Sequence, residues 1–262
     1  MEEVLVWGKR DWNNMIKITE SKMNNFHYKE WISYFKANHK KRLDIDFSKE
    51  KGLSATEMAL IFPSIRAFRK GEGSEGRHLL ETARVWARKK GEPDYEEAML
   101  WFVREENWHS SYLKKFMDYY NVEDLNSSFL YQAFCSLRRF GGLKCEVITL
   151  VTAEMIALTY YDALSNCTDS PALKSICQQM LHDELPHIMF QSHTLSLMEN
   201  HIIDRFARIL VMEVTLLFVW CAFHKVYQAG GYGFGRFWKE NLGYLQQSAA
   251  LSACLRKIYK TA

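Results

Sequence analysis

The sequence predicts an all-α protein, and three observations support this fold class. The 262 residues include only four prolines. The long segments between chain breaks carry apolar residues every three or four positions, which is the spacing of a helix face. Alternation typical of a strand occurs only at LDIDF, 43–47, which is too short and isolated to found a sheet.

Clusters of glycine and proline separate the predicted helices. We predict helices over the segments 10–38, 54–90, 93–121, 126–138, 144–166, 171–199, 202–228 and 234–259. Pro93 and Pro171 suit the first turn of a helix, where no backbone donor is missed. We expect one domain, 1–262, with three parts: an N-terminal helical extension (1–52), a central bundle (53–200) and C-terminal helices (201–262).

Charge and cysteine content narrow the functional class. A net charge of +3 gives no general field for nucleic acid, so no nucleic-acid partner is expected. The basic run at 39–42 is expected to be a solvated helix end, with docking of an acidic partner protein as the alternative. The six cysteines include no CxxC pair, so we expect reduced thiols in a cytoplasmic protein.

No membrane span is expected. The most apolar run, 209–223, is 15 residues long and contains Glu213, whereas a span needs about 20 apolar residues. We therefore predict a buried core helix there. The start of the chain, MEEVLVWGKRDW, lacks the basic and apolar regions of a signal peptide.

The pair Glu-x-x-His occurs three times, at 75/78, 106/109 and 184/187. Chance gives about 0.7 such pairs in a chain of this composition. Whether a pair is functional therefore has to be judged from the helix face on which it lies. The second and third pairs lie on the face of their predicted helices that otherwise carries apolar residues. An acid and an imidazole one turn apart on a core face are typical of a buried polar site.

Two further helices each place a carboxylate on an apolar face. Glu154 follows the stripe of its helix between Val151 and Leu158. In the segment 54–90 the candidates, from the N-terminal end, are Glu72, Glu75 and Glu81. The last is flanked by arginines on a polar face, the middle one points inward, and the first lies one turn earlier on a similar face.

The two halves of this region repeat. Glu106 and His109 recur 78 positions later as Glu184 and His187, and Glu75 recurs 79 positions later as Glu154. The chain therefore resembles two copies of a helix with one Glu followed by a helix with Glu-x-x-His. This register favours Glu75 as the lone carboxylate of the first half.

Charge gives the physical reason for a metal site. Four carboxylates converging in an apolar core repel one another, and each unpaired buried charge costs several kcal/mol. Two divalent ions would cancel the four charges, and carboxylate oxygen with neutral imidazole nitrogen suits iron, manganese or a mixed pair. The predicted metal ligands are Glu75, Glu106, His109, Glu154, Glu184 and His187.

Other polar residues near the motifs are given supporting roles. Glu105 and Asp183 precede the ligand glutamates, and each is predicted to accept a hydrogen bond from a ligand imidazole and fix its tautomer. His78 is expected in the core or beside the site. Glu72 and Glu146 are alternative carboxylates, the latter being expected to be paired or solvated.

This pattern resembles the ferritin-like diiron-carboxylate superfamily over roughly 55–200. EENWH, 105–109, is similar to a segment of the acyl-carrier-protein desaturases, and GEGSEG, 71–76, is similar to uncharacterised bacterial ferritin-like proteins. The resemblance implies a ferritin-like four-helix bundle with added N- and C-terminal helices. It also implies two iron ions that reduce O2, a small-molecule substrate and an external electron donor. Whether the chain forms a homodimer is left open by the sequence.

Three functions compete on these grounds. The chain exceeds a minimal bundle, which favours an O2-dependent non-haem diiron oxygenase or oxidase that oxidises, hydroxylates or desaturates a small organic substrate. The added terminal helices argue against ferroxidase, iron-storage or peroxide-detoxification activity in a cage. A radical-generating subunit needs a tyrosine near the metals, and Tyr161 qualifies because it lies two turns past Glu154 on the same face.

Pro186 separates Glu184 from His187 inside a predicted helix. Proline removes the donor for the carbonyl of His182, so a local kink or widened turn is expected there. Such a turn would re-aim His187 or open one side of the metal pair.

Overall fold

The computed structural model describes residues 27–73, 76–125, 141–198 and 202–261. Over these ranges the chain forms helices and no strands, so the all-α prediction is confirmed for the described residues. The helices are α1 (Tyr28–Asn38), α2 (Ala55–Glu72), α3 (Arg77–Lys90), α4 (Asp94–Tyr119), α5 (Gly142–Asn166), α6 (Pro171–Leu197), α7 (Ile202–Ala229) and α8 (Phe234–Thr261). The predicted helical segments 10–26 and 126–138 lie outside the described residues.

The predicted single helix over 54–90 is wrong, because the glycine-rich segment divides it into α2 and α3. Gly73 follows the last residue of α2, and α3 starts at Arg77. A side chain at Gly76 would lie 2.6 Å from a methyl carbon of Val103 on α4. Glycine is required there because the connection passes directly over α4.

Local capping signals set several helix ends. Ser54 and Glu57 form a reciprocal capping box at the start of α2. Ser170 caps α6, with Pro171 in the first turn as predicted. Gly91, after α3, has φ +73° and supplies the left-handed residue that ends this helix.

Packing places α2, α4, α5 and α6 around a common core. α5 packs along α6, and α2 packs along α4. α1 lies on α4, while α7 covers α5 and α8 covers α6. The basic run at 39–42 follows the end of α1, and its residues 40–42 are exposed, as predicted for a solvated helix end.

The apolar helices α5 and α7 have opposite environments. Both are long and apolar enough to cross a membrane by length and composition, but 89% of the apolar window of α5 is buried against 11% for α7. The predicted buried core helix over 209–223 is therefore wrong. Only four residues of α7 are buried, namely Met212, Leu216, Val226 and Tyr227.

Candidate metal centre

Two helices bring both Glu-x-x-His pairs to one buried point. Glu106 and His109 come from α4, and Glu184 and His187 come from α6. One potential ligand atom from each residue lies within 4.8 Å of the other three. Both imidazoles and Glu184 are fully buried, so this cluster is shielded from solvent.

No hydrogen bond of good geometry from the described part of the chain reaches the atoms that face the centre of this cluster. They are Glu106 Oε1, His109 Nδ1, both carboxylate oxygens of Glu184, and His187 Nδ1. Buried polar atoms are nearly always paired, so five orphaned atoms at one point demand an explanation.

Short distances connect these atoms. His187 Nδ1 lies 2.9 Å from Glu106 Oε1 and 3.4 Å from Glu184 Oε2. His109 Nδ1 lies 3.5 Å from Glu184 Oε1 and 3.7 Å from Glu106 Oε1. Glu184 therefore presents one oxygen to each imidazole.

The far nitrogen of each imidazole is held by a carboxylate of the opposite helix. His109 Nε2 on α4 lies 3.1 Å from Asp183 Oδ2 on α6, and His187 Nε2 on α6 lies 2.9 Å from Glu105 Oε2 on α4. A neutral imidazole that donates through Nε2 turns the Nδ1 lone pair toward the cluster. Both Nδ1 atoms then face carboxylate oxygens, an arrangement of acceptors that a cation would stabilise.

Asn38, the last residue of α1, links the two outer carboxylates. Its side-chain amide donates to Glu105 Oε1 and, over 3.0 Å, to Asp183 Oδ1. Gln179 Nε2 also donates to Asp183 over 2.8 Å. Asn38 cannot be found from the sequence, because it lies 67 residues before Glu105 and 145 before Asp183, and no local pattern marks a residue that acts across packed helices.

Glu72, the last residue of α2, places its carboxyl group beside this cluster. Its Oε1 accepts a 2.6 Å hydrogen bond from the Tyr161 hydroxyl of α5. Its carboxyl group is also within hydrogen-bonding reach of Glu106. Glu75, which the sequence register favours for this role, lies outside the described residues.

Glu154 of α5 completes the set of four carboxylates. It is buried, and its Oε2 lies 3.8 Å from His187 Nδ1. Its carboxyl group is within hydrogen-bonding reach of Glu184. The cluster thus contains two carboxyl–carboxyl contacts, Glu72 with Glu106 and Glu154 with Glu184, which repeat the same arrangement in the two halves.

Burial and mutual repulsion perturb these acids. Burial, followed by the charge of Glu154, raises the pKa of Glu184 well above its usual value. Burial, followed by the charge of Glu106, does the same to the pKa of Glu72. Burial also favours the neutral form of Glu106, but the positive charge that the His187 and His109 rings carry when protonated, without a cation at the site, outweighs it and lowers its pKa to about 2.

The remaining sequence candidates lie around this centre. Glu146 is buried and accepts hydrogen bonds from His78 Nδ1, over 3.0 Å, and from Thr82 Oγ1, over 2.8 Å, so it is paired as expected. Pro186 lies inside α6, which continues as a helix on both sides of it. The kink predicted at this proline stays a prediction.

The donor set fits divalent metal ions. Glu72, Glu106, Glu154 and Glu184 carry up to four negative charges, and His109 and His187 add two neutral nitrogens. Without cations, the two carboxyl–carboxyl contacts need shared protons and the orphaned Nδ1 atoms need protons of their own. A bound metal ion would satisfy the orphaned atoms of Glu106, His109, Glu184 and His187 without those protons, because carboxylate oxygens and imidazole nitrogens are metal ligands.

Comparisons with protein-family models, with curated proteins and with solved structures found no match. The likeness to the ferritin-like superfamily therefore stays a prediction. The function has to be argued from the geometry of the cluster itself.

Proposed function

We propose that the protein is a dimetal-carboxylate oxidoreductase, with iron as the expected metal, which uses O2 to oxidise, hydroxylate or desaturate a small organic substrate. The observation that carries the proposal is the convergence of five buried, orphaned donor atoms on one point. Proteins retain such unsatisfied groups where a functional ligand completes them.

The metal-holding residues are Glu72, Glu106, His109, Glu154, Glu184 and His187, on the four helices α2, α4, α5 and α6. Asp183 and Glu105 hold the imidazoles in the tautomer that leaves Nδ1 free to bind a cation. When bound, a pair of iron ions would supply the reduction of O2 and the oxidation of the substrate. The arrangement of helices and ligands supports a ferritin-like bundle as the fold family.

The surroundings of the cluster favour chemistry protected from water. Phe102 and Phe35 lie against the His187 ring, with ring centres 4.9 and 6.0 Å away, and both are buried. Apolar walls exclude water and so protect reactive oxygen chemistry from side reactions. An oxygenase or oxidase needs such walls, whereas an iron-storage protein needs an open path for many ions.

A second candidate, a radical-generating subunit, is favoured by one contact. The buried Tyr161 hydroxyl donates to Glu72, which in turn approaches Glu106. A phenol one hydrogen bond from a metal-holding carboxylate could pass a proton to it when oxidised. A persistent tyrosyl signal in electron paramagnetic resonance after O2 exposure, lost in Tyr161→Phe, would support this candidate over the first.

Anaerobic titration with ferrous ions tests the main proposal. We expect the chain to bind about two ions and then to consume O2. Glu106→Ala should lose at least one of these ions, whereas Glu81→Ala, which alters an exposed glutamate of α3, should bind as the wild type does. Binding of well under two ions by the wild type, or unchanged binding by Glu106→Ala, would contradict the proposal. A parallel titration with manganous ions distinguishes iron from manganese.

A further inference from the structure

The outer face of α7 carries an unusually large apolar surface. Seven of its apolar residues are between 42% and 73% exposed, namely Ile202, Ile203, Phe206, Ile209, Leu210, Val214 and Leu217. Together they expose roughly 800 Å² of mostly apolar surface, against about 300–600 Å² for the largest patch of a typical monomer. A surface of this size points to an interaction partner.

We propose that this face binds the same face of a second copy of the chain, with the two α7 helices antiparallel about a two-fold axis at Leu210. A stable interface of standard size buries about 800 Å² per partner, which the patch alone can supply. Interfaces between identical subunits are also the most apolar class, as this patch is.

The spacing of the exposed residues matches such an axis. In an antiparallel pair, a residue four positions before the axis meets the residue four positions after it on the other copy. Phe206 and Val214 stand at this distance from Leu210, and Ile203 and Leu217 stand seven positions away on either side. Apolar side chains therefore meet apolar side chains along the whole pair, and Leu210 meets its own copy.

The charges on α7 disfavour a lipid surface as the occupant. A membrane-lying helix gains affinity from a rim of exposed Lys and Arg at the level of the headgroups. Along the patch, from Ile202 to Leu217, the ionisable residues are Asp204, the exposed Arg205, Arg208, which reaches inward to donate to Ser248 Oγ over 2.7 Å, and the half-buried Glu213. One exposed arginine is far less than the rim of Lys and Arg that attracts such a helix to anionic lipid.

The buried face of α7 also disfavours a membrane span. Met212, Leu216, Val226 and Tyr227 pack into the protein core. A spanning helix would have to leave these contacts and expose α5 beneath it. A second copy covers the outer face without any such rearrangement.

Light scattering coupled to size-exclusion chromatography tests the proposal on the full chain. The wild type should be a dimer at tens of micromolar. Leu210→Glu should weaken self-association by at least about 100-fold, because two buried carboxylates would meet at the axis. Val85→Glu is the matched control, since Val85 is a 68% exposed apolar residue on α3, away from this face; it should remain a dimer. Circular dichroism should show equal helicity for all three.

Cysteine cross-linking tests the position of the axis. Under mild oxidation Leu210→Cys should give a disulfide-linked dimer, because only a residue at the axis meets its own copy. Val214→Cys should not, since its two copies would lie about 12 Å apart along the helices. The exposed native Cys221 lies 11 residues from the axis and should not cross-link in the wild type.

Three results would overturn the proposal. One is a wild-type monomer that floats with phosphatidylcholine or phosphatidylglycerol vesicles, which would assign the face to lipid. The second is a wild-type monomer that does not float, which would show the face to be covered within the chain. The third is a dimer that survives Leu210→Glu.

Discussion

Replacing Asp183 by Asn removes a carboxylate that four neighbouring groups approach. Asp183 Oδ2 lies 3.1 Å from His109 Nε2 and 2.8 Å from Gln179 Nε2. Its Oδ1 lies 3.0 Å from Asn38 Nδ2 and 2.9 Å from His182 Nδ1. An amide keeps one acceptor oxygen and turns the other position into a donor.

The loss in metal affinity follows from this geometry. If the new NH2 group faces His109 and Gln179, His109 can satisfy it only by moving its proton to Nδ1, which then cannot bind a cation. If the NH2 group faces Asn38 instead, one buried donor loses its partner, at a cost of about 1–3 kcal/mol. In both cases we expect the metal affinity on the His109 side of the cluster to be about 10–100-fold weaker, which is a loss of about 1.4–2.7 kcal/mol in binding free energy.

Anaerobic titration with Co2+, followed by its visible absorption, measures this change. Asp169→Asn is the matched control, because the Asp169 side chain is fully exposed and forms a 3.4 Å ion pair with Lys174 at the surface. Asp183→Asn should bind one ion as tightly as the wild type and the other 10–100-fold more weakly. Two ions bound with wild-type affinity would refute the idea that Asp183 orients His109 for metal binding.

Three further predictions concern the same core. Glu72→Gln should lower metal affinity more than Glu75→Gln, because Glu72 approaches Glu106 in the structure. The same titration measures both variants. A larger loss in Glu75→Gln would instead support Glu75, the residue that the sequence repeat favours. Pro186→Ala should leave metal content unchanged but alter the rate of O2 uptake, because alanine restores a backbone N–H that can bond to the preceding turn. An oxygen electrode measures this rate. An unchanged rate would mean that the proline has a structural role only. Burial lowers the pKa of His193 to about 3 from 6.5, so the unfolded state binds the proton first and stability falls as pH drops below 6.5. His193→Gln should therefore lose about 2 kcal/mol less than the wild type between pH 6.5 and 4.5 in urea unfolding, and equal losses would contradict this.

Glu72 and Glu75 illustrate what a sequence pattern cannot predict. Both lie one turn apart in what the periodicity treats as one helix, and the repeat register favours the later residue. The structure ends α2 at Glu72, because the glycines that follow let the chain pass closely over α4. The helix end that brings Glu72 beside Tyr161 is thus set by contact with another helix.

The sequence also could not predict which face of α7 is exposed. Its hydropathy predicts burial, and composition cannot tell whether the covering surface belongs to the same chain. Only the packing of α7 on α5 shows that one face is satisfied and the other is left exposed.

By itself, the sequence determined the helical fold class and the core-facing positions of Glu106, His109, Glu184 and His187. Helical periodicity is local, so residues three apart on an apolar face point inward whatever the tertiary arrangement. The tertiary structure alone decided the crossed pairing of each imidazole with a carboxylate of the opposite helix, and the bridge from Asn38 to both carboxylates. These contacts join residues 67 to 145 positions apart, and only the packing of helices brings such distant side chains within hydrogen-bonding distance.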